Sequence, residues 1–240
     1  MTDKIDFYIN AIVFLCGVIS LILSINMFKR KALYPKIIMC GVGCLTLGRL
    51  YNLILLIADS TVKIEHTISS GSAKGLHNTG LLHVGSQMYF LSLAGGFLFF
   101  VTANRGQVDS LVDDGSKQFF KYRLLSFILG PVIVLLFTLF SSDNVLFDSH
   151  YFNPVFLVLA FSTYYHIKHL IIPDVFGGFV KSLRAYNLTA LIMELCYLMT
   201  TLFYNNEKYL VPFTVFSVLM GVATLIIPLA IERGYKSWKI

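Results

Sequence analysis

Long apolar runs alternate with short polar segments along the whole chain. Seven such runs can be recognised, at about 7–28, 37–58, 80–103, 124–140, 151–172, 185–204 and 210–231. A helix of roughly 20 apolar residues spans a bilayer core about 30 Å thick. Helices also satisfy their own backbone hydrogen bonds, which the bilayer interior requires. The pattern therefore predicts an all-α bundle of seven transmembrane helices, with residues 1–240 forming one domain.

Composition supports a multi-pass integral membrane protein. The chain is 56% hydrophobic and 13% charged, with a mean hydropathy of +0.73, whereas soluble domains carry about 25% charged residues. The lipid bilayer is therefore the predicted environment and main partner. The net charge of +6 is concentrated at helix ends rather than on a separate basic stripe, which argues against nucleic-acid binding.

The distribution of basic residues predicts the orientation of the bundle. With the N-terminus outside, 14 of the 19 Lys and Arg residues fall in inner segments and four in outer segments. Arg49 is the remaining one, inside the second span. Inner loops carry an excess of Lys and Arg in membrane proteins, so we expect the N-terminus outside and the C-terminus inside.

Two charged residues lie deep inside predicted spans. Arg49 is in the second span and Glu194 is in the sixth. Because both spans start from the inner side, Arg49 lies roughly 18 Å and Glu194 roughly 14 Å into the bilayer. A charge at such depth is costly unless it faces the protein interior and has a partner. Both residues are therefore predicted to face the centre of the bundle.

Three helices each carry one polar stripe. Residues three, four or seven apart share a helix face, and this spacing groups the polar residues of spans 2, 3 and 6. We expect the stripes to converge, forming either an Arg49–Glu194 ion pair or a pocket where a small polar or anionic ligand bridges the two charges. A purely structural use, in which the pair fixes helix register, is the alternative. The candidate site residues are Arg49, Asn52, His83, Gln87, Glu194 and Tyr197.

Other polar and small residues of the chain do not indicate metal, cofactor or catalytic chemistry. His166 and His169 form one pair without a second histidine cluster, and the four cysteines fall inside apolar runs. No metal site and no cofactor is therefore predicted. Asp113 and Asp114 lie in a mixed-charge loop and are interpreted as a solvated surface. The small residues of span 3, which include Gly96, favour tight helix packing, with a hinge at Gly95–Gly96 as the functional alternative.

Three functional classes remain open, with an enzyme less favoured because no nucleophile–base set is recognisable. The first is a small-solute or ion transporter, or a channel-like protein, with a mid-membrane polar site. The second is a seven-helix receptor or sensor with an outward-facing ligand pocket and a protein partner at the inner loop 105–123. The third is a non-catalytic subunit of a membrane complex. Span 7 contains no lysine, which excludes a retinal Schiff base.

Overall fold

A computed structural model describes residues 2–62, 81–140, 152–174, 178–203 and 207–238. Within these residues the regular structure is entirely helical, as predicted. The α-helices are α1 (Thr2–Leu23), α2 (Ile25–Phe28), α3 (Tyr34–Val62), α4 (Leu81–Ala103), α5 (Asp109–Val112), α6 (Phe120–Phe127), α7 (Ile133–Phe140), α8 (Phe152–Ile171), α9 (Phe179–Phe203) and α10 (Leu210–Trp238). Two π-helical segments, Asn104–Val108 and Ile128–Val132, join α4 to α5 and α6 to α7.

In the described part of the chain, six long helices form a closed ring. Contacts run from α1 to α3, from α3 to α4, from α4 to α8, from α8 to α9, from α9 to α10 and from α10 back to α1. Helices α6 and α7 are joined by a π-helical segment into one continuous helical unit. This unit packs chiefly against α8. The main hydrophobic core includes Phe97 and Phe100 of α4 and Met193 and Tyr197 of α9. The polar residues discussed below lie among these core side chains.

The outer surface of the bundle is suited to lipid. Five helical segments in the described part of the chain are long and apolar enough to cross a bilayer: Ile5–Leu23, Tyr34–Ile54, Lys117–Phe137, Phe179–Phe203 and Leu210–Ser237. Large apolar side chains are exposed along these segments, for example Leu15, Ile22, Leu136 and Val211. Soluble monomers rarely expose apolar surface on this scale. The length and apolar surface of these helices indicate a multi-pass membrane protein.

Small residues bring α3 and α4 unusually close. A Cβ atom on Gly96 would lie 2.6 Å from Cγ of Leu45, and one on Gly41 would lie 2.8 Å from the carbonyl oxygen of Gly96. One residue earlier, a Cβ on Gly95 would make only ordinary contacts, with Sγ of Cys44 at 3.6 Å. Gly96 therefore serves helix packing, in line with the packing interpretation of the span 3 small residues.

The segment after α4, predicted as a loop, is largely helical. The Asn104–Val108 π-helical segment continues α4 directly into α5, and a 3-10 turn at Lys117–Phe119 leads into α6. A π-helix joins residues five apart, and the backbone N–H of Asp109 donates to the carbonyl of Asn104. Residues 104 and 109 therefore lie nearly above one another and present their side chains to the same neighbour, α8.

Candidate functional site

Arg49 is half-buried on α3 and contacts side chains of other helices. One terminal nitrogen donates to Oδ1 of Asn10 on α1 at 3.0 Å, and the other lies 3.8 Å from the sulfur of Met220 on α10. The guanidinium carbon is 5.8 Å from the ring centre of Tyr89 on α4. The prediction that Arg49 faces the bundle interior agrees with these contacts.

A small cavity adjoins the guanidinium group. Its volume is about 30 Å³, enough for one or two water molecules. Five of the six ring helices line it, so it lies inside the ring. Its lining is Val13, Gly17, Leu45, Thr46, Arg49, Leu93, Phe97, Met193, Tyr197, Met220 and Thr224. Of the predicted site residues, Arg49 and Tyr197 are therefore brought together at what we call the Arg49 cavity.

The predicted ion pair between Arg49 and Glu194 is wrong. Glu194 Oε1 instead lies 2.9 Å from Nδ1 of His166 and accepts a hydrogen bond from Ser162 Oγ, both on α8. The reason is helical phase. Met193 and Tyr197 are four residues apart on α9 and face the Arg49 cavity. Glu194 is rotated by about 100° from Met193 around the helix axis and faces α8.

The two ring nitrogens of His166 face different neighbours. The Asn104 amide nitrogen donates to the Phe100 carbonyl at 2.8 Å, which orients the amide, and also lies 3.2 Å from His166 Nε2. With the amide in this orientation, Nε2 is placed to accept. Tyr186 places its hydroxyl 3.2 Å from the same Nε2. Nδ1 lies close to Glu194 but makes no hydrogen bond of good geometry within the described residues.

Several polar atoms near this pair have no protein partner in the described part of the chain. They are Nδ1 of His166, Glu194 Oε2, Asn104 Oδ1 and both amide atoms of Asn187, which lies two turns before Glu194 on the same face of α9. All four residues are buried. Buried polar groups usually have a protein or water partner. The interior around Glu194 therefore retains unused hydrogen-bonding capacity.

Two aromatic side chains separate the Arg49 cavity from His166. Tyr197 lies 5.5 Å from Phe97, Phe97 lies 6.4 Å from Phe100, and Phe100 lies 6.1 Å from the His166 ring, measured between ring centres. Phe97 and Phe100 are almost completely buried. We call these two residues the aromatic barrier, because they place an apolar layer between two polar regions of the ring.

A second polar cluster continues from His166 along the same face of α8. His169 Nε2 lies 3.1 Å from Asp109 Oδ1, and Lys168 Nζ pairs with the same carboxylate oxygen. Lys168 also reaches Asp113 Oδ2 at 3.3 Å, and Arg123 pairs with the other Asp113 oxygen at 2.8 Å. The cluster therefore connects α5 and the start of α6 to α8.

This cluster keeps Asp109 ionised. Burial alone would raise the pKa of its carboxyl group, but hydrogen bonds from His169 and Lys168 and the nearby positive charge lower the pKa to about 2. Arg105 adds a further contact at 2.9 Å to the second carboxylate oxygen. Asp109 is therefore an anion at every physiological pH.

An open pocket of about 460 Å³ borders the cluster. Its lining combines three cations, two carboxylates and two tyrosines: Arg105, Asp109, Asp113, Gly115, Arg123, Tyr164, Tyr165 and Lys168. Lys168 Nζ lies 5.4 Å from the ring centres of both tyrosines. We call this space the charged pocket.

The remaining predictions have mixed outcomes. Asn52 is half-buried on α3. His83 and Gln87 lie on the first turns of α4, outside the described side chains, so their roles stay predictions. The interpretation of Asp113 as part of a solvated surface is wrong, because its paired side chain is only 4% exposed. Asp114 is exposed, as expected.

The sequence pattern does not reveal the partners that the structure supplies. It suggests His166 only as a metal ligand, and it predicts a loop at Asn104 and Asp109. A signal did exist, because Ser162, His166 and His169 are spaced for one helix face. The π-helical segment that aligns Asn104 with Asp109 has no comparable signal in sequence. Among the described residues no group of three His, Cys, Asp or Glu could hold a metal ion.

Comparisons of the chain with protein families, with curated proteins and with solved structures found no match.

Proposed function

We propose that this chain is a membrane transporter of a small polar solute or ion, with seven spans, the N-terminus outside and the C-terminus inside. One observation carries the proposal: the ring encloses the Arg49 cavity and the His166–Glu194 pair on opposite sides of the aromatic barrier. A transporter needs polar regions within the membrane that are separated by an apolar barrier. Ionisable residues in such a position usually mark a transport path or proton relay.

The His166–Glu194 pair is the proposed proton-carrying centre. Protonation of His166 at Nε2 would convert this atom from an acceptor into a donor. The Asn104 amide would then have to turn its unpartnered Oδ1 toward the ring and give up its bond to the Phe100 carbonyl. Since Phe100 belongs to the aromatic barrier, this would couple proton binding to a change beside the barrier.

The coupling has a second consequence further along the chain. Asn104 begins the π-helical segment that also sets the position of Asp109. A change at Asn104 would therefore be passed to the ion-pair cluster around Asp109 and Lys168. π-Helical segments are often found at functional sites, which agrees with a role for this segment in conformational change.

Solute-dependent proton movement in proteoliposomes tests the proposal. The purified chain is reconstituted with a pH-sensitive dye inside the vesicles, and amino acids, sugars, carboxylates and phosphates are added in turn. We expect at least one solute class to change the internal pH, and Glu194→Gln to abolish this response. Lys236→Gln, which changes an exposed side chain far from the pair, serves as the control.

The other outcomes separate the alternative functions. Saturable solute binding without flux would reject transport and favour the receptor or sensor. Recovery of a stoichiometric protein partner, with neither binding nor flux, would favour a subunit of a membrane complex. Protease protection of terminal tags tests the orientation: in sealed cells, an external protease should remove the N-terminal tag and leave the C-terminal tag intact.

A further inference from the structure

We propose that the charged pocket is a binding site for a phosphate or carboxylate group carried by an organic body. The pocket lies where the segment after α4 and the start of α6 meet the end of α8. With the proposed orientation, it opens on the inner side of the membrane. The proposal names a class of solute for the proposed transporter. Only this link to transport rests on the proposed function.

The charges of the pocket favour an anion. Arg105, Arg123 and Lys168 supply three positive charges against two from Asp109 and Asp113. Both carboxylates are largely buried behind the cations that they bind. The cations are therefore held in place by ion pairs while the pocket keeps a net positive charge. The low pKa of Asp109 maintains that arrangement down to acidic pH.

Arg105 has the donors to meet an incoming anion. Its side chain is 66% exposed, and its pairing with Asp109 uses one terminal nitrogen. The planar guanidinium group carries five N–H donors in a geometry that matches carboxylate and phosphate oxygens. In the described part of the chain, no other hydrogen bond from this side chain is assigned. Arg105 can therefore bind an anion without leaving Asp109.

The size and the aromatic walls indicate more than an inorganic anion. About 460 Å³ falls within the range of small-molecule sites. Tyr164 and Tyr165 lie edge to face with ring centres 5.1 Å apart and are both half-buried. Their rings offer an apolar surface for the body of a ligand beside the cationic groups. Either a free organic anion or a phospholipid headgroup has this chemistry.

Binding of phenyl phosphate tests the site. The full chain in phosphatidylcholine nanodiscs is titrated calorimetrically with phenyl phosphate, and separately with inorganic phosphate. We expect saturable binding, with phenyl phosphate tighter than inorganic phosphate. Arg105→Gln should weaken the binding about 10-fold, the effect of losing one charge-assisted contact. Arg105→Lys keeps the charge but loses the planar guanidinium group. Its affinity for phenyl phosphate should therefore lie between those of the unchanged protein and Arg105→Gln.

Two further arms complete the experiment. Lys236→Gln removes a positive charge outside the pocket and should leave the affinity unchanged. Nanodiscs with phosphatidylglycerol test whether the ligand is a lipid headgroup. If it is, the purified chain should retain this lipid, and phenyl phosphate should displace it. Arg105→Gln should show neither retention nor displacement. Absence of saturable phenyl phosphate binding and of lipid retention, or binding unaffected by Arg105→Gln, would overturn the inference.

The readouts also separate this inference from the proposed function. Phenyl phosphate binding without flux of any solute would leave the anion site in place and reject the transporter. Flux of a solute without anion binding at the charged pocket would support the transporter and reject the anion site. Each proposal can therefore fail alone.

Discussion

His166 Nδ1 and Glu194 Oε1 lie 2.9 Å apart, and neither side chain has any exposed surface. The two residues belong to α8 and α9, which are neighbours in the ring. A carboxylate at this depth would be costly without a partner. The Ser162 hydroxyl donates to it and the His166 ring lies beside it, so these contacts, rather than one with Arg49, accommodate the buried acid.

Removal of the Glu194 carboxylate should destabilise the bundle. Glu194→Ala leaves Ser162 Oγ buried without an acceptor and removes the carboxylate beside His166, which should lower the free energy of unfolding by about 2–5 kcal/mol. Glu194→Gln keeps a carbonyl acceptor and should cost clearly less. Denaturation in detergent micelles measures both. Equal stability of Glu194→Ala and the unchanged protein would show that the contact contributes nothing.

Opening the aromatic barrier should increase proton leakage. Phe97→Ala removes the ring between Tyr197 and Phe100 and should cost about 3–5 kcal/mol of stability. The space created would extend the Arg49 cavity to Phe100 and leave one ring instead of two before His166. We expect faster decay of an imposed pH gradient in proteoliposomes, with Phe97→Leu as the control that keeps an apolar filling. If the folded Phe97→Ala variant holds the gradient as well as the control, Phe97 is not part of a barrier.

Neighbouring glycines of α4 should respond differently to alanine. Gly96→Ala would press a Cβ atom against Leu45 and the backbone of Gly41, so we expect a lower thermal midpoint. Gly95→Ala meets only ordinary contacts, and the higher helix propensity of alanine should leave its stability equal or raise it by up to about 1 kcal/mol. The two variants differ by one position, so thermal unfolding compares them directly. A midpoint unchanged by Gly96→Ala would contradict the close approach of α3 and α4.

Stability should fall in acid through Asp109. Its pKa is lowered from 3.8 to about 2 in the folded protein. A lowered folded-state pKa contributes stability that is complete above the unfolded value, and this contribution is lost as pH falls from about 4 to about 2. Asp109→Asn should be less stable at neutral pH and should lose less on acidification.

Thermal unfolding at pH 6 and pH 3 checks this prediction. Glu232→Gln, at a residue whose side chain is 41% exposed, provides the matched acidic control and should behave as the unchanged protein does. Parallel losses in Asp109→Asn and the unchanged protein would show that another group controls the acid transition.

Much of the architecture follows from the sequence because it depends on local properties. Apolar runs of about 20 residues determine where helices form and that the chain belongs in a membrane. The cost of an unpaired charge in hydrocarbon places Arg49 and Glu194 in the interior. Helical periodicity also groups Ser162 with His166 on one face of α8.

The pairing of the polar residues was decided only by the tertiary structure. Depth and periodicity are properties of single helices, and they leave open how each helix is rotated and which helix is its neighbour. Glu194 and Tyr197 are three residues apart, yet one faces His166 and the other the Arg49 cavity. The π-helical segment also shifted the phase of the residues that follow α4, which aligned Asn104 and Asp109. Arg49 and Glu194 therefore share a bundle interior that the sequence determines, while their partners depend on helix rotation and packing.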